Sequence, residues 1–457
     1  MTVNQDAAGS EWKAGVYDGN KVMTRPLEAT EMIFASGEEK WPVKFTISLN
    51  LQDSKFDQAL FTQRIRLAWL WLALEHPQTT TTALEGNFVT QLLDSSEEQE
   101  LWLQKTFIVV EGTNAEEYDV FSNLPNYALL YYFPASSQVT LVCPHVNIDA
   151  AGALKAFDLL MNRAVNHEAV DKDSQGRVEN LPPSLEHALG LHIATEKEQA
   201  LVEQALGGLQ MAQPSLADES QPASEQEIKE KGCLAHQVLK FTAEETSTII
   251  SKSKQAGISV TSFVFAALLG YLTELETNKE CSNFISFDPY SMRSLLPDVQ
   301  ANTPFAFYGG LWPSIIETAS NDPKTALKNV DSHFKNISSQ LRGNERPLIQ
   351  ALKPMSMRCQ QVFQSLAQQP EIRPTPSISS FGVCDKLLNP SYGSIQVSDF
   401  YVTTKSSSPQ CPCFAFTFRN RLNFVTTYNR QFHSDAQIAE RNQRIKDKML
   451  QLLELDL

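Results

Sequence analysis

The sequence predicts an α/β (α+β) protein built from two similar-sized domains with mixed sheets. Three observations carry that reading. Segments of strand-like and helix-like hydrophobic period alternate along the chain. A polar stretch, "QMAQPSLADESQPASEQEIKEKG" at residues 210–232, is rich in Gln, Glu, Ser and Pro and divides the chain nearly in half. The length, 457 residues with 42% hydrophobic side chains, suffices for two ordinary cores. The expected division is a domain over 1–209, a mobile linker over 210–232 and a second domain over 233–457.

In the first half, an opening loop is followed by "VKFTISLNL" (43–51), which sets Phe45, Ile47 and Leu49 on one face as a strand does. Phe56, Leu60, Phe61, Ile65, Trp69 and Leu72 recur at helical spacing, and Pro77 stops that helix. "YALLYYFP" (127–134) and "QVTLVCP" (138–144) predict a β-pair joined by a polar turn. "ALKAFDLLMNRAV" (153–165) is an amphipathic helix.

The second half opens on a strand, "LAHQVLKF" (234–241). Thr242 and Glu245 form a capping-box pattern, Gly257 closes the helix they start, and Ser259 or Thr261 caps the next. "NFISFDPYSMRSLLP" (283–297) reads as strand, turn and a positioned arginine, Arg293. Strands are expected at 377–383, 393–404, 413–419 and 421–429, before a terminal helix.

Composition narrows the function. A net charge of −15 offers no basic stripe for nucleic acid. The N-terminus is polar, without a signal-peptide core, and the longest apolar window is too short to span a bilayer, so a cytoplasmic protein is expected. Seven scattered cysteines read as reduced thiols. "CPC" (411–413) lacks a second ligand pair, and the histidines are not spaced as a metal site, so no metal is expected. There is no G-x-S-x-G elbow and no phosphate-cradling glycine loop.

One stretch carries chemistry: "LVCPHVNIDAAG" (141–152). A β-type run meets Pro144, presents His145, and places Asp149 before a helix. A histidine at a rigid strand end is the best single side chain for taking a proton near neutral pH. The same pattern also describes an ordinary turn in which Asp149 caps the helix. Spacing alone leaves both open.

The stretch resembles the HxxxD signature of the superfamily that contains chloramphenicol acetyltransferase, the plant BAHD acyltransferases and the condensation domains of peptide synthetases. His145 and Asp149 match its histidine and aspartate. Ala150 stands where the pattern has glycine, and Gly152 falls where it has its second small residue. Pro144 replaces the preceding histidine of condensation domains, which turns the reading towards free-standing acyl transfer. "LKFTAEETSTIISKSKQAGISVTSFVFAALLGYL" and "ENLPPSLEHALG" (179–190) resemble fungal stand-alone O-acyltransferases of the trichothecene 15-O-acetyltransferase-like group. "YGSIQVSDFYV" (392–402) lacks the DFGWG motif of BAHD enzymes.

The resemblance implies two chloramphenicol-acetyltransferase-like domains with the active site in a tunnel between them. His145 would be the general base, Asp149 a structural brace, and Arg293, in "DPYSMRSLLP", its partner; a surface arginine in a turn is the competing view. "SISSFGVCDKLL" resembles the stretch facing the histidine from the second domain. Ser379 and Ser380 are candidate oxyanion donors by position, or ordinary strand hydroxyls. The implied reaction moves an acyl group from acyl-CoA, a co-substrate and not a bound cofactor, to a hydroxyl of a small secondary metabolite. A monomer is expected. Two alternatives stand beside it: a condensation-like enzyme using a carrier-bound donor or cyclising a product, and a non-catalytic binding module. Between Lys324 and Lys405, ten Lys or Arg face five Asp or Glu, a surplus that could steer CoA phosphates or be a solvated helix surface.

Overall fold

A computed structural model of the chain describes residues 12–35, 42–51, 57–121, 124–166, 175–191, 193–211, 220–275, 283–317, 322–342, 346–367 and 376–454. The first elements in order are β1 (Lys13–Tyr17), β2 (Asn20–Pro26), α1 (Ala29–Ala35), β3 (Pro42–Leu51), α2 (Gln58–Glu75), β4 (Thr81–Leu84) and β5 (Asn87–Gln91). Next come α3 (Ser96–Thr106), β6 (Phe107–Val109), β7 (Leu129–Phe133), β8 (Gln138–Pro144), α4 (Ala150–Asn166), α5 (Leu185–Ala188), α6 (Glu196–Met211) and α7 (Glu225–Lys231). Then β9 (Leu234–Lys240), α8 (Ala243–Ala256), α9 (Val260–Leu272), β10 (Asn283–Ser291), α10 (Asp298–Ala301), β11 (Gly309–Glu317) and α11 (Pro323–Arg342). The last are α12 (Pro347–Gln350), α13 (Leu352–Ala367), β12 (Ile378–Val383), β13 (Ser391–Tyr392), β14 (Ile395–Thr404), β15 (Cys413–Phe418), β16 (Arg421–Asn429) and α14 (Asp435–Glu454).

Two compact units result. One comprises Met1–His192, Ser291–Gly309 and Cys384–Val402; the other comprises Ile193–Tyr290, Gly310–Val383 and Thr403–Leu457. A single cut at 210–232 therefore does not describe the chain. The physical reason is pairing at long range. Within the first unit, the segment after Ser291 bonds to the turn after β8, and β13–β14 extend a sheet begun by β3 and β8.

That sheet has six strands in the order β13-β14-β3-β8-β7-β6, and β8 is buried at all seven positions. β3 and β8 run antiparallel with Pro42 opposite Pro144 and Ser48 opposite Gln138. A β-strand buried on both faces reads as a continuous apolar run, as "TLVC" does. The helices α2 and α4 pack together, with Ala153, Ala156, Phe157, Leu160, Met161 and Ala164 of α4 buried at helical spacing. The stretch that the sequence presents as an opening loop holds β1, β2 and the short helix α1, and β1 and β2 join β5 and β4 in a second sheet of order β1-β2-β5-β4. Short exposed strands carry too weak a period to be read: β1 is exposed at all five positions.

In the second unit, the sheet is β12-β15-β16-β9, and the apolar helix α9 is its core, with Phe263, Phe265, Leu268 and Leu272 buried. The expected caps are present. Thr242 and Glu245 close a reciprocal capping box on α8, Gly257 takes a left-handed conformation at φ +64°, and Ser259 caps α9. The stretch expected as a mobile linker is partly ordered. Residues 212–219 lie outside the described residues, but Ser224 caps α7, and the Ala223 amide donates to the Arg430 carbonyl at 2.9 Å. The Glu, Gln and Lys that gave this stretch its linker composition are also good helix formers.

Candidate active site

His145 follows directly on β8, in a single 3-10 turn over His145–Asn147. Its Nδ1 lies 2.9 Å from the Ile148 carbonyl oxygen. A carbonyl only accepts, so Nδ1 carries the proton and Nε2 holds the free lone pair. Among the described residues Nε2 has no hydrogen-bond partner. The ring sits between two phenylalanines, Phe34 at 4.6 Å and Phe307 at 5.4 Å between centroids, and those two lie 4.7 Å apart. Burial pulls the imidazole pKa below its ordinary value; the Ile148 carbonyl and the Asp149 charge oppose that shift. The imidazole is therefore neutral and oriented, with Nε2 left as an acceptor. Asn147 ties down the same turn by donating to the Thr81 carbonyl at 2.7 Å.

Asp149 does not touch His145. Its Oδ1 accepts from the Gly152 amide at 2.7 Å, which is the capping role. Its Oδ2 accepts from the Tyr308 amide at 2.9 Å. Arg293 Nε bridges both oxygens, 3.0 Å from Oδ1 and 2.9 Å from Oδ2. The guanidinium is 6% exposed and is filled on its other side: Nη1 donates to the carbonyls of Ala301 (3.1 Å) and Thr303 (2.7 Å), and Nη2 to Ala306 (3.0 Å). Cap and brace are thus one carboxylate, and Arg293 is a buried partner, not a surface residue.

Gly152 has a steric reason. A Cβ there would meet the Pro304 carbonyl oxygen at 2.1 Å and Arg293 Nη2 at 2.7 Å. The helix must approach the 293–308 segment this closely for Asp149 to reach Arg293. Ala150, where the pattern has glycine, is half-buried at the first turn of α4 and meets no such limit.

Ser379 and Ser380 lie on β12 of the other unit. Ser379 is half-buried; Ser380 is exposed and shares a 2.9 Å hydrogen bond with Thr261. The basic surplus between 324 and 405 is partly neutralised and is divided between the two units: Lys335 pairs with Asp331 at 2.7 Å and Arg358 with Glu203 at 3.1 Å. Among the described residues, no group of three or more His, Cys, Asp or Glu could hold a metal, and no single helix is long and apolar enough to cross a membrane.

Sequence reading missed Phe34 and Phe307. Phe34 sits on a seven-residue helix preceded by no clear period. Phe307 sits in an irregular run between β10 and β11. No pattern in either place marks an aromatic wall.

No family model matches the chain. Among curated proteins it is 22% identical over 442 residues to the acetyltransferase pigO of Monascus ruber, covering 90% of this chain and 92% of that protein. It is 24% identical over 485 residues to lolU1 of Epichloe uncinata, described as a loline biosynthesis cluster 1 transcription factor, covering 95% of each. Among solved structures, the TRI3 trichothecene 15-O-acetyltransferase from Fusarium sporotrichioides is similar with a TM-score of 0.79 at 17% identity, over 97% of this chain and 98% of that one. The chain has the fold of that acetyltransferase. That fold, with the fungal acetyltransferase relatives, places the chain among the acyltransferases.

Proposed function

We propose that the protein transfers an acyl group, acetyl in the simplest case, from acyl-CoA to a hydroxyl of a small secondary metabolite, with His145 as general base. The observation that carries this reading is the self-contained orientation of His145: Nδ1–H is engaged by the Ile148 carbonyl, leaving Nε2 as acceptor. Nε2 takes the hydroxyl proton as the oxygen attacks the thioester carbonyl. The tetrahedral oxyanion collapses, the C–S bond breaks, and the imidazolium returns its proton to the CoA thiolate. No covalent enzyme intermediate is required. Asp149 and Arg293 fix the turn and take no part in the proton transfer.

The relatives support the class: pigO is named an acetyltransferase and TRI3 a trichothecene 15-O-acetyltransferase. The description of lolU1 as a transcription factor would call for a nucleic-acid surface, and a net charge of −15 argues against one.

The test is thiol release on mixing acetyl-CoA or longer acyl-CoAs with hydroxylated terpenoid and polyketide acceptors. His145→Ala should lower kcat by about 10²–10⁴, the usual contribution of a positioned base, at unchanged far-UV circular dichroism. Near-wild-type turnover in that variant would remove the assignment. Transfer from an acylated carrier protein but not from any acyl-CoA would replace the donor and keep the base.

A further inference from the structure

Among the described residues, β1 is an edge of the sheet β1-β2-β5-β4 and pairs with β2 alone. The two strands form a hairpin closed by Asp18 and Gly19, at φ +50° and +80°, a two-residue turn with both central residues left-handed. Such a turn makes Tyr17–Asn20 a hydrogen-bonded pair, and the hydrogen-bonded pairs then recur at Gly15–Val22 and Lys13–Thr24. The Lys21 carbonyl fits that alternation: it faces β5, accepting from the Leu92 amide at 3.3 Å. The N–H and C=O groups of Ala14 and Val16 therefore point outward, to the open edge. β1 is exposed at every position, Val16 at 73% and Tyr17 at 52%. Edge strands are ordinarily guarded by proline, a bulge or charge. This one has a regular register, no proline and a single charge, Lys13.

The strand is complementary to itself. Lys13 begins it and Asp18 follows it, and among the described residues neither charge has a partner. Turning a second copy about a two-fold axis at Gly15 sets β1 antiparallel to β1. Ala14 then faces the second copy's Val16 as a hydrogen-bonded pair, and Val16 faces its Ala14, which satisfies all the outward-pointing groups. No other two-fold register does so. Gly15 meets Gly15 between them. Lys13 comes opposite the second copy's Tyr17 ring and beside its Asp18 carboxylate, so a cation meets a π face and an anion at both ends. We infer that β1 is a self-association edge through which a second copy of this chain joins two four-stranded sheets into one. A five-residue strand covers less than a standard interface of roughly 1,600 Å², so the dimer is weak and forms with rising concentration. The monomer expected from the sequence is then its dilute form. This edge does not depend on the acyl-transfer reading.

The test is sedimentation velocity on the full chain over a concentration series reaching roughly 1 mM, with cysteine cross-linking to read the register. A reversible rise from one chain mass towards two is expected. Val16→Pro removes an outward donor without taking a β1–β2 bond and should weaken association at least tenfold. Lys13→Glu, which sets like charges together, should also weaken it, and it carries the test where Val16→Pro fails to fold. Gly15→Cys has room for its side chain, since a Cβ there meets only Val22 Cγ2 at 3.8 Å. It falls on the axis as a non-hydrogen-bonded pair, whose Cα separation of about 4.5 Å suits a disulfide. Mild oxidation should therefore cross-link Gly15→Cys at least tenfold faster than Ala14→Cys, which the register sets apart from its own copy. A chain that stays monomeric throughout the series, association untouched by Val16→Pro and Lys13→Glu, or equal cross-linking at positions 14 and 15 would each overturn the assignment.

Discussion

Replacing Asp149 by asparagine removes one charge and one acceptor from a buried brace. Both carboxylate oxygens face Arg293 Nε, and each also accepts a backbone amide, from Gly152 or Tyr308. Whichever way an asparagine amide is turned, its nitrogen meets a donor on that side. Arg293 stays in place at 6% exposure, held by three carbonyls but with no anion. Removing one partner of a buried ion pair costs about 3–5 kcal/mol. The Asp149 side chain is 13% exposed, which points to the lower end, about 3 kcal/mol. The measurement is the urea midpoint of Asp149→Asn against the wild type, with Arg293→Met and the double variant completing the cycle. The double variant should recover about 1–3 kcal/mol of the summed single losses, because it leaves no unpaired charge. The reasoning fails if Asp149→Asn keeps its stability within about 0.5 kcal/mol, a typical surface value, while its turnover falls as far as that of His145→Ala. Asp149 would then act on the base directly.

Gly152→Ala should cost about 3 kcal/mol, the upper end for overpacking, because its first obstacle is the Pro304 backbone; Ala150→Gly should cost under about 1 kcal/mol in the same thermal melts. The lowered pKa of His145 puts the acid limb of kcat/KM below the ordinary histidine value of 6.5, and a limb above that value would contradict the buried neutral base. Glu186 is buried and accepts from the Thr30 amide (2.8 Å) and hydroxyl (3.0 Å); burial, with Glu31 nearby, pushes its carboxyl up to about 7. A carboxyl raised in the folded state contributes stability that is full below the ordinary value of 4.5 and is lost as pH rises to about 7. Glu186→Gln should therefore gain stability relative to the wild type between pH 5 and pH 8, by roughly 3 kcal/mol at most, and a pH-independent difference would refute the shift.

How far the site could be read depends on the range of each contact. His145 and Asp149 were legible because a strand end, a turn and a helix start lie within twelve residues and each has its own local signal. The caps on α8 and α9 were legible for the same reason. Arg293 was open, since spacing cannot pair residues 144 positions apart; the resemblance proposed the pair and the geometry supplies it. The domain division failed in the same way. Composition marks where a chain is polar, but which unit holds 291–309 and 384–402 is decided by sheet pairing and by the brace. The glycine pattern shows the limit most sharply. Ala150 looked like the departure that mattered, yet the close approach falls at Gly152, and only the position of Pro304 reveals it.

The division of labour between the two motif residues follows from what each one's atoms can reach. The His145 tautomer is set from inside its own turn, by a carbonyl three residues on, and needs no carboxylate. Asp149 has no acceptor left to offer: its oxygens are taken by the helix start, by Arg293 and by Tyr308. Beyond the pull of its charge on the imidazole, its influence on His145 travels through backbone. Two routes are visible. The Asp149 amide donates to the Ala306 carbonyl at 3.2 Å, and Phe307, between Ala306 and Tyr308, packs edge-on against the His145 ring. Loss of the brace should thus disturb the aromatic wall as well as the turn. It follows that rate lost in Asp149→Asn should be recoverable by a second change that re-pins the 305–308 segment, with asparagine left in place. No such change could rescue His145→Ala, where the accepting atom itself is gone.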